Sequence, residues 1–135
     1  MASKEIVKEA KPKPLVMRKI LIVDDSPTER FFLADLLTKR GYAVVTAENG
    51  EEALSKVRSE KPSLVVMDVV MPGTSGYQAT RAIARDPATQ GIPVILCTSK
   101  SAESDRIWGL RQGAKEYVTK PVNAEELLAK IASLA

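Results

Sequence analysis

Two kinds of hydrophobic pattern alternate along the chain. Ile20-Leu21-Ile22-Val23 is apolar at every position and rich in β-branched residues, as a strand covered on both faces requires. Ser26-Pro27-Thr28-Glu29 then has the form of a capping box with proline at the first helical position. The helix it opens presents Phe32, Leu33, Leu36 and Leu37 on one face and stops at Gly41. Tyr42 to Ala47 predicts a second strand, broken at Asn49-Gly50, and Ala53, Leu54 and Val57 mark a second helix ended by Pro62. Leu64-Val65-Val66-Met67 is a third apolar strand.

A loop containing Pro72, Gly73 and Gly76 leads to a third helix around Tyr77–Ala84, closed by Asp86-Pro87. Pro93 to Cys97 predicts a fourth strand, and Ser104 to Gln112 a fourth helix with Gly113 as its stop. Glu116-Tyr117-Val118 is a short fifth strand. Asn123 and Glu126 cap a last helix whose apolar face is Leu127, Leu128, Ile131 and Leu134. Apolar strands alternating with helices predict an α/β fold: a single doubly wound (βα)5 domain with a parallel sheet covered on both faces. In such sheets ligands sit outside the carboxyl ends of the strands.

Composition narrows the possible chemistry. A chain of 135 residues with 44% hydrophobic content suits one domain with one ordinary core. No apolar run is long enough to span a bilayer, and the charged N-terminus does not read as a secretory signal. Cys97 is the only cysteine, which excludes an internal disulfide and fits a reducing cytoplasm, and it reads as a small core residue. The chain has no histidine, so Ser-His-Asp and Cys-His catalysis, histidine-held zinc and a phosphohistidine role are all excluded. Of the net charge of +3, the basic part lies in residues 1–19, which hold six Lys or Arg against two Glu. Residues 1–16 read as a flexible basic tail and residues 17–135 as the folded domain, with Met17 a candidate natural start. The tail has no interleaved aromatics, so neither nucleic acid nor membrane insertion is expected.

The strand ends carry the candidate chemistry. Asp24 and Asp25 follow the first strand, Asp68 the third, Thr98 the fourth and Lys120 the fifth. Each residue alone is common in loops. Together they gather at the one rim where this fold places sites. Three carboxylates in one pocket repel each other unless a cation joins them. Oxygen ligands without His or Cys point to Mg2+. A carboxylate beside bound magnesium can act as nucleophile toward phosphorus. Lys120 would neutralise phosphoryl oxygens, and the Thr98 hydroxyl could donate to them.

Asp24-Asp25, Asp68 with Met71-Pro72-Gly73, Thr98, and Lys120-Pro121 together resemble the receiver domain of two-component response regulators, in its stand-alone CheY-like form. The resemblance covers residues 18 to 135. It implies a flavodoxin-like sheet of order 2-1-3-4-5 and phosphorylation on Asp68. It implies that Asp25 binds Mg2+ directly, that Asp24 holds metal-bound water, and that the Val70 backbone carbonyl is a further ligand. Lys120 would pair with Asp68, Thr98 and Tyr117 would form a switch pair, and the Lys120-Pro121 bond would be cis. The phosphodonor would be a CheA-like histidine kinase, and the output a protein target at the fourth helix, fifth strand and fifth helix. A monomer is expected.

Ser26-Pro27-Thr28-Glu29, Trp108-Gly109, Arg111-Gln112-Gly113-Ala114 and Tyr117-Val118-Thr119-Lys120 further resemble type IV pilus regulators of the PilH kind, which implies a role in twitching motility or chemotaxis. Trp108 reads equally well as helix packing. Val70, Ser99 and Lys100 depart from the common family residues and flank the approach of water to a phosphoryl group. They are the expected modulators of hydrolysis.

With no output domain after Ala135, a receiver of this kind would act by binding, or as a phosphate sink that drains its kinase. A haloacid-dehalogenase-type phosphatase would need a second Asp two positions after its nucleophile. Val70 stands there after Asp68, and Ser26 after Asp24. Gly-rich phosphate loops of the Rossmann or P-loop kind are absent from the sequence. The chain therefore reads as a phosphoacceptor signalling domain, catalysing only its own phosphorylation and dephosphorylation, rather than as an enzyme.

Overall fold

A computed structural model describes residues 18–135; the tail of residues 1–16 and the start at Met17 lie outside them. Five strands and five helices alternate: β1 (Lys19–Val23), α1 (Pro27–Thr38), β2 (Ala43–Ala47), α2 (Gly50–Glu60), β3 (Leu64–Met67), α3 (Gly76–Arg85), β4 (Val94–Thr98), α4 (Glu103–Arg111), β5 (Glu116–Thr119) and α5 (Ala124–Leu134). The sheet is parallel throughout and ordered β2-β1-β3-β4-β5. This is the doubly wound, flavodoxin-like arrangement.

Strand periodicity divides the core in two. Ile20, Ile22, Leu64, Val66, Ile95 and Cys97 pack on one face with Leu33 and Leu37 of α1 and Leu127, Leu128 and Ile131 of α5. Leu21, Val23, Val65, Met67 and Leu96 pack on the other, under Ala53 and Val57 of α2 and Ala79 and Ile83 of α3. All residues of β3 and β4 are buried, which is why both strands read as unbroken apolar runs. Each fully buried Leu or Ile contributes roughly 1.5–3 kcal/mol of transfer free energy.

Several local expectations shift. Only Leu33 and Leu37 of α1 are buried, while Phe32 is 46% exposed and Phe31 74% exposed. Ser26 caps α1 by accepting from the Glu29 N–H at 3.3 Å, but its own N–H donates to Asp24 rather than to Glu29. The reciprocal capping box lies instead at Ser75 and Gln78, at the start of α3. Strands β4 and β5 each run one residue further than their apolar runs, to Thr98 and Thr119. Trp108 is 48% exposed rather than packed between helices.

The ladder does not stop at the strand ends. The Asp24 N–H donates to the Ala47 carbonyl, the Asp68 N–H to Val23, and the Lys120 N–H to Thr98, at 3.1, 2.9 and 2.9 Å. Candidate site residues on three different strand ends are thereby fixed by the sheet itself.

Candidate functional site

Asp24, Asp25 and Asp68 each bring a carboxylate oxygen to within 4.8 Å of one another at the carboxyl rim. Asp24 is buried, Asp68 half-buried and Asp25 exposed, so the cluster opens to solvent through Asp25. Asp24 is oriented by the Ser26 N–H, which donates to its Oδ1 at 2.9 Å. Arg30, on the first turns of α1, donates to the Asp24 backbone carbonyl at 2.7 Å. Asp68 is oriented by the Val69 N–H, which donates to its Oδ1 at 2.7 Å.

Lys120 reaches into this cluster from the end of β5. Its Nζ donates to Asp24 Oδ2 at 2.8 Å and stands 3.7 Å from Asp68 Oδ2 and 3.8 Å from Glu29 Oε1. The expected Lys120–Asp68 contact is therefore long, and the tighter partner is Asp24. The ammonium sits nearest the most buried carboxylate, because that group loses most hydration. Burial works against the Lys120 charge, but the Asp24 hydrogen bond and the charges of Asp68, Asp24 and Glu29 outweigh it and hold the ammonium above its ordinary range. Burial raises the Asp68 carboxyl above its ordinary range; Asp24 adds to the rise, while Lys120, the Val69 N–H and the Thr98 hydroxyl oppose it.

Thr98 is fully buried at the end of β4, and its Oγ1 accepts from the Lys100 N–H at 3.3 Å. Tyr117 faces inward, 9% exposed, and donates its hydroxyl to the Lys100 carbonyl at 2.9 Å. Burial, with Tyr77 close by, raises the Tyr117 hydroxyl far above its ordinary range, so it stays a neutral donor. The Lys120-Pro121 peptide bond is cis. Val70 is 60% exposed and Ser99 exposed, beside the rim. Lys100 turns toward Asp105, at 3.8 Å. Cys97 is buried, its thiol pushed up to about 12, mainly by burial, which fits a core residue and not a nucleophile.

Four residues of the site escaped the sequence. Glu29 reads only as a capping residue and Arg30 as an ordinary helix residue, although a helix beginning two residues after Asp25 has to bring its first turns over the rim. Gly76 holds α3 against the acceptor: a Cβ there would fall 2.0 Å from the Asp68 carbonyl oxygen. The glycine was visible as a loop residue, but its close approach to Asp68 was not. Tyr77 lies 3.5 Å from Tyr117, hydroxyl to hydroxyl, and no periodicity predicts that contact.

Residues 20–132 match the response regulator receiver domain family. The chain belongs to that family. It is 53% identical over 115 residues to Protein PilH of Pseudomonas aeruginosa, a match covering 85% of this chain and 95% of that protein. It is 40% identical to the phosphate regulon transcriptional regulatory protein PhoB of the same organism, over 87% of this chain but only 51% of that longer protein. Among solved structures, the chemotaxis protein CheY4 of Vibrio cholerae superposes with a TM-score of 0.82 at 30% identity, covering 88% of this chain and 99% of that one. A receiver domain binds Mg2+ at an acidic pocket, and the Asp24, Asp25 and Asp68 cluster supplies the hard oxygen donors such an ion takes. Among the described residues, no helix is long and apolar enough to cross a membrane.

Proposed function

We propose that this receiver accepts a phosphoryl group on Asp68 from the phosphohistidine of a histidine kinase of the CheA kind, with Mg2+ held by Asp25, Asp68 and the Val70 carbonyl, and by Asp24 through water. The observation that carries the reading is the convergence of three carboxylates and one ammonium at a sheet rim, with the backbones of Asp24, Asp68 and Lys120 held by the continuing sheet ladder. Bound magnesium would screen the carboxylates from an incoming phosphate and draw in its oxygens. Asp68 forms the new O–P bond as the N–P bond to the donor imidazole breaks, and the electron pair leaves with the imidazole. Val69 fixes the plane of the attacking carboxylate through its N–H. Lys120 is close enough to turn from Asp24 to the phosphoryl oxygens.

Thr98 and Tyr117 carry the signal in this reading. Thr98 moves its hydroxyl toward the phosphoryl group, and inward Tyr117 fills the space behind it. The surface of α4, β5 and α5 then shifts its balance toward one state and binds a protein target. Val70, Ser99 and Lys100 modulate the return reaction with water. Similarity to PilH supports a place in twitching motility or chemotaxis, and the action is expected in the cytoplasm. The test is acetyl phosphate with Mg2+, read by intact mass. The wild type gains one phosphoryl group, and Asp68→Asn gains none. Phosphorylation of Asp68→Asn at the wild-type level would end the assignment.

A further inference from the structure

Four of the five helices start on a side-chain cap: Ser26, Asn49, Ser75 and Asn123 each accept a hydrogen bond from the N–H of the third helical residue. Helix α4 does not. Ala102 stands at its N-cap and makes no side-chain hydrogen bond. A helix start without a cap is easily frayed.

Two tyrosine hydroxyls from other elements hold this segment instead. Tyr117 of β5 donates to the Lys100 carbonyl at 2.9 Å, just before α4. Tyr77, near the start of α3, donates to the Asp105 carbonyl at 3.2 Å, in the first turn of α4. The two hydroxyl oxygens are 3.5 Å apart. Each hydroxyl has a single hydrogen, and both are committed to carbonyls. The pair is therefore a two-point clamp on residues 100–105, not a tyrosine–tyrosine hydrogen bond. Thr98 completes the connection by accepting from the Lys100 N–H. A Thr98 hydroxyl that turns toward a phosphoryl group loosens the Lys100 end, while Tyr77 keeps hold of the Asp105 end.

We propose that Tyr77 is a positioning residue of the switch. Its hydroxyl anchors the uncapped first turn of α4 so that Tyr117 stays inward and the 100–105 segment keeps the arrangement that receives the phosphoryl group. The proposal rests on the reading of Thr98 and Tyr117 as the switch pair.

Tyr77→Phe removes the hydroxyl and keeps the ring, which packs against the core. The chain has three tyrosines, so 3-fluorotyrosine labelling resolves Tyr117 directly by 19F NMR. In Tyr77→Phe the Tyr117 resonance moves toward the solvent-exposed position. Amide exchange in the first turn of α4 speeds up by about three- to tenfold, the effect of one lost hydrogen bond. Phosphorylation by acetyl phosphate slows by a similar factor, and Mg2+ affinity is unchanged. A purely structural Tyr77 would lower the thermal midpoint without moving the Tyr117 resonance or the phosphorylation rate, and that result overturns the proposal. So does a variant identical to wild type in both readouts. If wild-type protein takes no phosphoryl group at Asp68, the functional reading fails, while the fluorine signal and amide exchange still decide whether the clamp exists.

Discussion

Lys120 donates to Asp24 at 2.8 Å and stands almost an ångström further, at 3.7 Å, from Asp68. The Lys120 ammonium and a divalent ion at this rim would draw on the same carboxylates, so the two cations compete. Replacing Lys120 with Gln removes the competitor and leaves three carboxylates facing each other. Mg2+ affinity, measured by calorimetry, should rise by about tenfold, well inside the attraction of roughly 4 kcal/mol expected for unit charges 4 Å apart near a surface. Phosphorylation of the same variant should fall, because no cation follows the phosphoryl oxygens. A variant that binds Mg2+ more weakly than wild type would contradict this arrangement.

The raised Asp68 carboxyl has a consequence for stability. Its ordinary value is 3.8. In the folded state it keeps its proton to a higher pH than in the unfolded chain. Between the two values the folded state binds more protons, so stability falls as pH rises through that window, and the loss persists above it. Below 3.8 both states are protonated and the group contributes no difference. Asp68→Asn should therefore be more stable than wild type in chelator at pH 7. The gain should shrink as pH is lowered and vanish below the ordinary carboxylate value. Urea unfolding across pH 3 to 8 checks this, and saturating Mg2+ should reverse the ranking at neutral pH, because only the wild type keeps all three carboxylates.

Gly109 faces the ring of Tyr117 across α4 and β5. A Cβ there would lie 2.8 Å from Leu96 Cδ1 and 3.1 Å from two ring carbons of Tyr117. Gly109→Ala should push the ring outward and break the bond to the Lys100 carbonyl. Overpacking costs about 1–3 kcal/mol, and the better helix propensity of alanine returns about 1 kcal/mol. The fold should survive with a small loss of stability while the 19F signal of Tyr117 reports an exposed ring. An unchanged Tyr117 signal would mean that Leu96 absorbs the methyl alone.

The sheet and its rim were legible in the sequence because both follow from short-range rules. Unbroken apolar runs mark strands buried on two faces, and the polar residue that ends each run sits by geometry at the carboxyl edge. Asp24, Asp68 and Thr98 obey this, and Lys120 follows one residue after Thr119, which ends the fifth run. What escaped depends on contacts distant along the chain. Phe31, Phe32 and Leu33 are consecutive and all apolar, and only the docking of α1 decides that Leu33 turns inward. Gly76 must be glycine because α3 passes over the Asp68 backbone, and Tyr77 acquires a role only when α4 arrives beside it. The partner choice of Lys120 depends on which carboxylate is most buried, which no pattern of residues records.

The outward turn of α1 leads to a last prediction. Phe31 and Phe32 are exposed on the helix that begins over the site. Phe32 joins Thr28, Glu29, Lys120, Pro121 and Val122 around an open groove of about 330 Å3. Under the proposed phosphotransfer to Asp68, an exposed aromatic side chain beside the rim suits a docking face for the phosphohistidine donor, because the ring anchors the donor while the rim stays polar. Phe32→Ala should lower phosphotransfer from the cognate kinase by about tenfold, the effect of losing one moderate interface anchor. The rate with acetyl phosphate should stay unchanged, since this small donor needs no docking surface, and the thermal midpoint should move little because the side chain is half outside the core. Equal losses with both donors would place Phe32 in the reaction site instead of on the docking face.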